Sequence, residues 1–428
     1  MNLFEILASL LTLAALFSYL NHRVFRLPTT IALMAMALGL SLLILAVGHF
    51  VPSVRDTAEA VLGQIDFNKA LMQGMLGFLL FAGALHVDLG DLGREKTVIA
   101  VLATIGVVAS TFMTGGLTLL ILKAVGMDMP LIFCLLFGAL ISPTDPIAVL
   151  AILKKLGVPK TLETKIAGES LFNDGVGIVV FLALLGGAGL GGDEGSAAHM
   201  TAGKVAILFA IEAGGGAAFG FVTGLIAYRM LKSVDNYQVE ILISLALVAG
   251  GYALADRLHL SGPIAMVVAG LLIGNHGRSF AMSESTRDHL DTFWELVDEI
   301  LNSILFVLIG LETLVLTITG QYLVAALLVI PAVLLVRFVT VGVPARLLRG
   351  MHHFSPHAVK VMTWGGLRGG ISVALALWLG NRMGPEHQAE REVILVMTYV
   401  TVVFSIGVQG LTIGKLLRRW GLRDSMTQ

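Results

Sequence analysis

The chain is a succession of apolar runs, most of them about 17–25 residues long, separated by short polar or Gly/Pro-rich breaks. A run of that length crosses a bilayer as a helix, and a helix satisfies its own backbone where no water is at hand. Composition agrees. Hydrophobic residues make up 56% of the chain and charged residues 13%, with a mean hydropathy of +0.88. A soluble domain averages about 45–50% apolar and about 25% charged residues. The expectation is an all-α polytopic membrane protein, a single unit over residues 1–428, whose short tail leaves no room for a soluble regulatory domain.

Dividing at the breaks gives about thirteen spans. They fall near 3–20, 28–48, 69–87, 97–122, 129–153, 161–187, 203–229, 237–256, 261–275, 291–314, 320–344, 356–380 and 390–414. The ninth is short, so twelve is the main competing count. If the odd-numbered loops and the C-terminus share one side, about 19 basic residues lie there and about 7 on the other, as the positive-inside rule requires. The fifth-to-sixth loop carries Lys154, Lys155, Lys160 and Lys165, whereas the Gly-rich sixth-to-seventh loop has Asp193, Glu194 and only Lys204. The N-terminus is therefore expected outside. The C-terminus, with Lys415, Arg418, Arg419 and Arg423, is expected in the cytoplasm. The first span has no basic residue ahead of it and no small-residue cleavage site, and reads as a retained helix rather than a signal peptide.

Three polar stretches interrupt this pattern. The first is I-S-P-T-D-P-I at 141–147, inside the fifth span. A proline removes a helix hydrogen bond and pushes the preceding residue toward extended backbone. Pro143 and Pro146 should thus unwind the chain at Thr144 and Asp145. Unwound backbone is tolerated at membrane depth only when buried in protein or facing a watery cavity. One reading is a simple kink with Asp145 capping the second half-helix; the other is a broken helix whose carbonyls and carboxylate face a cation.

The second stretch is G-E-S-L-F-N-D-G-V-G-I at 168–178. Ser170 and Asp174 are four residues apart and share one helix face, and Glu169 and Asn173 share the adjoining one. An ionisable group at the bilayer centre costs about 2.5–3.5 kcal/mol even on a lenient insertion scale, and such groups mark ion or proton pathways. A purely structural polar network is the alternative. The third stretch is W-G-G-L-R-G-G-I-S at 364–372, where glycine pairs flank Arg368 and weaken the helix. A buried guanidinium requires an anion: Glu169 is the preferred partner and Asp145 the second choice. Arg337 also falls within a span, with no partner assigned. The interrupted fifth and twelfth spans lie seven apart, as two repeats of inverted topology would place them.

The motifs S-P-T-D-P-I-A-V, E-S-L-F-N-D and G-G-L-R-G-G-I-S, in this order and spacing, resemble the monovalent cation/proton antiporters of the bacterial NhaP type, relatives of the animal sodium/proton exchangers. The resemblance runs from about the third span to the last. It implies a homodimer in the plasma (inner) membrane that exchanges Na⁺, Li⁺ or K⁺ for H⁺. Each subunit would have an interface part (spans 1–3 and 7–10, about 1–90 and 203–314) and a core part with crossed broken helices (spans 4–6 and 11–13, about 97–187 and 320–414). Carried over by residue, Asp174 matches the family's cation- and proton-binding aspartate, with Ser170 and the Thr144 carbonyl as neighbouring ligands of the transported metal ion. Asp145 and Asn173 match a polar pair bracing the crossover, and Glu169 with Arg368 a buried ion pair. Asn173–Asp174 corresponds to the pair of electroneutral members. One position departs from the pattern: F-A-G-A-L-H-V-D places Ala82 where many relatives carry a glutamate, which leaves ion preference open.

Other polar residues carry less. Glu212 and Glu312 could line a vestibule but are read as facing other helices. His86, His276 and His357 sit at span ends, where an interfacial histidine needs no special role, and packing is the reading for Asn302. The single Cys134 excludes an internal disulfide and a thiolate cluster. With no phosphate loop, nucleotide motif or metal-spaced His/Cys set, no resident cofactor, ATP-driven step or nucleic-acid partner is expected. Oxygen-only ligands suit a hard cation. An intramembrane aspartyl protease using Asp145 and Asp174 is the rival from another class, although Gly175 and Gly177 follow Asp174 where those enzymes place G-x-G before it. A channel is the second rival, but it would not need an exchangeable buried aspartate.

Overall fold

The computed structural model describes residues 3–54, 58, 60, 74–190, 202–277, 282, 284–314, 316–350, 352 and 354–420. Asp193, Glu194 and Arg423 lie outside the described residues, as does the predicted start of the third span. Helices occupy all thirteen predicted segments: α1 Leu3–Leu20, α2 Thr29–Phe50, α3 Leu76–Leu85, α4 Leu89–Val125, α5 Leu131–Ile141 with α6 Ile147–Leu156, α7 Lys160–Gly187, α8 Ala202–Lys232, α9 Tyr237–Arg257, α10 Gly262–Leu272, α11 Glu284–Glu312, α12 Gly320–Leu347, α13 Ala358–Trp364 with α14 Gly370–Arg382, and α15 Pro385–Arg419. Among the described residues, eight helices are long and apolar enough to cross a membrane, and α3, α5, α10 and α14 are shorter apolar helices. The ninth segment is a helix in its own right, which favours thirteen over twelve.

Local chemistry sets the ends. Pro28, Pro130 and Pro159 immediately precede α2, α5 and α7, where a missing N–H costs nothing. Gly126 and Gly157 end α4 and α6 in the left-handed conformation, at φ +82° and +62°. Asp88 caps α4 by accepting from the Asp91 N–H. Two helices begin earlier than hydropathy suggests, α4 at Leu89 rather than 97 and α11 at Glu284 rather than 291. Their first turns are polar, and a length rule for bilayer crossing registers only the apolar part.

The packing repeats. α4, the α5–α6 segment and α7 each touch the other two, and so do α12, the α13–α14 segment and α15. The triplets meet where α4 packs on α12 and α5 on α14. The remaining helices pack mainly among themselves: α11 on α2, α8 on α10, α10 on α3, and α9 on α8, α10 and α11. Apolar side chains such as Leu42, Leu120, Leu242, Leu327 and Phe338 stand exposed on the outside, as a lipid-facing surface requires.

Candidate functional site

Both interrupted segments are broken, at 142–146 and at 365–369, and the two breaks cross. The Asp145 N–H donates to the Leu367 carbonyl at 2.8 Å, so each unwound stretch satisfies part of the other. The glycines of G-G-L-R-G-G have separate reasons. A Cβ on Gly369 would run into the Asp145 carboxylate, and one on Gly366 would lie 2.8 Å from Arg337 Nε. A π turn at Ser405–Gln409 in α15 supplies further partners. Ser405 Oγ accepts from the Arg368 N–H at 2.9 Å, and Gln409 donates to the Trp364 carbonyl at 2.8 Å.

α7 lies against the first break. A Cβ on Gly177 would collide with the Pro143 ring, so only glycine lets this helix approach so closely. Asn173 donates to Thr144 Oγ1 at 2.8 Å and accepts from the Thr144 N–H at 3.4 Å. Thr144 and Ser170 hydroxyls are 3.1 Å apart. Thr144, Ser170, Asn173 and Asp174 are all buried, with Asp174 the least so at 9% exposed. Asp174 feels the charges of Asp145 and Glu169. The predicted ligand residues Thr144, Ser170 and Asp174, and the bracing residues Asp145 and Asn173, are thus gathered around one crossing. The oxygens there suit a hard cation.

The predicted Glu169–Arg368 pair is corrected. Glu169 instead forms a bidentate pair with Arg337, with Nη1–Oε1 2.5 Å and Nη2–Oε2 2.7 Å, from α12 to α7. Arg337 also donates from Nε to the Met362 carbonyl at 3.4 Å. Arg368 donates from Nη1 to the carbonyls of Ser142 at 2.5 Å and Pro143 at 2.9 Å. These carbonyls are orphaned where α5 stops, at the negative end of its dipole, and a cation there needs no carboxylate. Arg337 was legible only as a second intramembrane arginine. Its partner lies 168 residues away in sequence.

Ala82 is buried in an apolar cluster with Phe81, Leu85, Met266 and Trp294, and brings no carboxylate to the site. The backbone carbonyl of Glu212 accepts from the Ser261 N–H. His357 precedes α13, with its ring stacked on Trp420. Sequence reasoning missed Asp298 on α11, which is half-buried and within electrostatic reach of Asp145. Its i, i+4 spacing to Asn302 was the available signal.

Residues 11–419 match the transmembrane sodium/hydrogen exchanger family. The chain is 50% identical over 421 residues to the Na⁺/H⁺ antiporter NhaP of Pseudomonas aeruginosa, covering 97% of this chain and 96% of that one. It is 33% identical over 406 residues to the Na⁺/H⁺ antiporter NhaH of Halobacillus dabanensis, covering 92% of each. In fold it is similar to the solved sodium proton antiporter MjNhaP1 of Methanocaldococcus jannaschii, with a TM-score of 0.75 at 21% identity over 98% of this chain and 99% of that one. Crossed broken helices, a buried aspartate beside them and matching relatives along nearly the whole chain agree, and the chain belongs to the sodium/hydrogen exchanger family.

Proposed function

We propose that this protein exchanges a hard monovalent cation for H⁺ across the membrane, by competition for the Asp174 carboxylate. Na⁺ and Li⁺ are the first candidates, with K⁺ third. The carrying observation is Asp174, buried one turn along α7 from Ser170, whose hydroxyl is 3.1 Å from that of Thr144 on the unwound backbone between α5 and α6. The names of the relatives, Na⁺/H⁺ antiporters, support it. Family membership makes the chain a transporter, which sets aside the protease reading.

The chemistry follows from burial. A carboxylate out of water disfavours its charged form, and either a proton or a nearby cation relieves the charge. The two therefore exclude one another. Ser170, the Thr144 carbonyl and Asp174 supply oxygens to the cation. Asn173 holds the Thr144 hydroxyl and backbone N–H in place. Arg368 neutralises the end of α5, and the Glu169–Arg337 pair ties α7 to α12. With asparagine at 173, one carboxylate serves both ions, giving an electroneutral exchange of one cation per proton.

The same reading divides the chain into a core part (about 97–187 and 320–414) that carries the site and an interface part (about 1–90 and 203–314) that forms a homodimer. Support comes from the two mutually packed triplets and from the separate packing of the other helices. Basic-residue asymmetry supports an external N-terminus and a cytoplasmic C-terminus in the plasma membrane. The experiment is proton flux in sealed vesicles on adding Na⁺, Li⁺ or K⁺ in turn. Flux driven by at least one of them is expected, and none with any of the three would end the proposal.

A further inference from the structure

We propose that Asp298 and the amide oxygen of Asn302 form a second, shallower cation site that feeds Asp174. This rests on the reading of Asp174 as the exchange site. Trp294, Asp298, Asn302 and Leu305 recur at the spacing of one helix face on α11. Both ends of this stripe are anchored. Trp294 packs on Phe81 of α3, with ring centroids 4.7 Å apart. Leu305 abuts the start of α14, where a Cβ on Gly370 would fall 2.6 Å from it. The neighbouring Gly369 abuts the Asp145 carboxylate. One and two turns before Leu305, Asn302 and Asp298 therefore look toward the crossing of the broken helices. Glu295 and Glu299, one turn before Asp298 and next to it, are exposed and act electrostatically on Asp298.

Two observations point to an occupant. Asp298 lies within electrostatic reach of Asp145, which in turn lies within reach of Asp174. The second observation is Asn302. It is 2% exposed, and its Nδ2 donates to the Asp298 carbonyl at 2.9 Å. Its Oδ1 has no hydrogen-bond partner among the described residues. A buried acceptor left unmatched is destabilising. Beside a half-buried carboxylate, a hard monovalent cation would satisfy both oxygens. α11 enters from the side of the basic loops, so the site would load cations from the cytoplasm.

The test uses inside-out vesicles holding the full-length protein, with Na⁺-driven proton movement recorded against Na⁺ concentration. Asp298→Asn should raise the apparent KM for Na⁺ about tenfold, the lower end of what focused charge in a cleft contributes to local ion concentration, with Vmax unchanged. Asp298→Glu should restore the KM. High choline chloride should leave the difference in place, because a coordinating site resists screening that abolishes long-range attraction. An unchanged KM, a Vmax loss at constant KM, or a difference erased by choline would each overturn the proposal. If Asp298→Asn fails to insert, Asn302→Leu removes the lone oxygen at similar volume. A raised KM there supports the site and an unchanged one overturns it. Wild-type vesicles without proton flux driven by Na⁺, Li⁺ or K⁺, or Asp174→Ala vesicles that retain such flux, would instead refute the exchange reading itself.

Discussion

Replacing Arg337 with methionine would leave the Glu169 carboxylate with no counter-charge in a place that water does not reach. The Glu169 side chain is 1% exposed and that of Arg337 9%, and both guanidinium nitrogens are engaged, at 2.5 and 2.7 Å. Solvent screening therefore does little to reduce the penalty, which for a broken buried pair is about 3–5 kcal/mol. Glu169→Gln should cost a similar amount by stranding the guanidinium. The double variant removes both charges, and should fall short of the summed single effects by as much as about 3 kcal/mol. SDS-induced unfolding of the detergent-purified protein measures all four corners of the cycle. A parallel cycle on Glu169 and Arg368 should show weaker coupling, because that guanidinium is held by the Ser142 and Pro143 carbonyls. Additivity within about 0.5 kcal/mol for Glu169 and Arg337, or stronger coupling for Glu169 and Arg368, would refute the reasoning.

Asp174→Ala should abolish cation-driven proton flux while leaving the unfolding midpoint unchanged or higher, since a costly buried carboxylate is removed; normal flux in the folded variant would refute the mechanism. Gly369→Ala would press a methyl group against the Asp145 carboxylate, and should cost about 1–3 kcal/mol in the same unfolding assay and lose exchange by displacing the crossing. Wild-type activity and stability together would show that the crossing tolerates that shift. An imposed potential, worth about 2.3 kcal/mol per elementary charge per 100 mV, should not drive the cycle when both ion gradients are zero. The measurement is internal pH in vesicles under a K⁺/valinomycin potential, after showing that the protein carries no K⁺, and sustained Na⁺-dependent proton movement would mean unequal stoichiometry.

Much of this molecule was legible in the sequence, for local physical reasons. A bilayer demands about twenty apolar residues per crossing helix, so segment positions follow from runs of adjacent residues. Proline chemistry at 143 and 146 and the glycine pairs around Arg368 announced both breaks without reference to anything distant. Ser170 and Asp174 share a face because the helix repeat puts them there. What failed were questions of partnership. Glu169 had two intramembrane arginines to choose from, and the rule that a buried guanidinium needs an anion favoured Arg368. Tertiary structure decided otherwise. The broken end of α5 offers Arg368 two orphaned carbonyls, and packing of α12 on α4 and α13 brings Arg337 to Glu169. Asp298 escaped notice because it sits among the acidic residues of α11's amphipathic first half, and its i, i+4 spacing to Asn302, the one clue, does not say which way that pair faces. Only the contacts of Trp294 with Phe81 and of Leu305 with Gly370 orient that helix. Sequence order determines helices and their interruptions because those depend on near neighbours, whereas the pairing of buried charges depends on which helices meet, and that is settled only when the whole bundle packs.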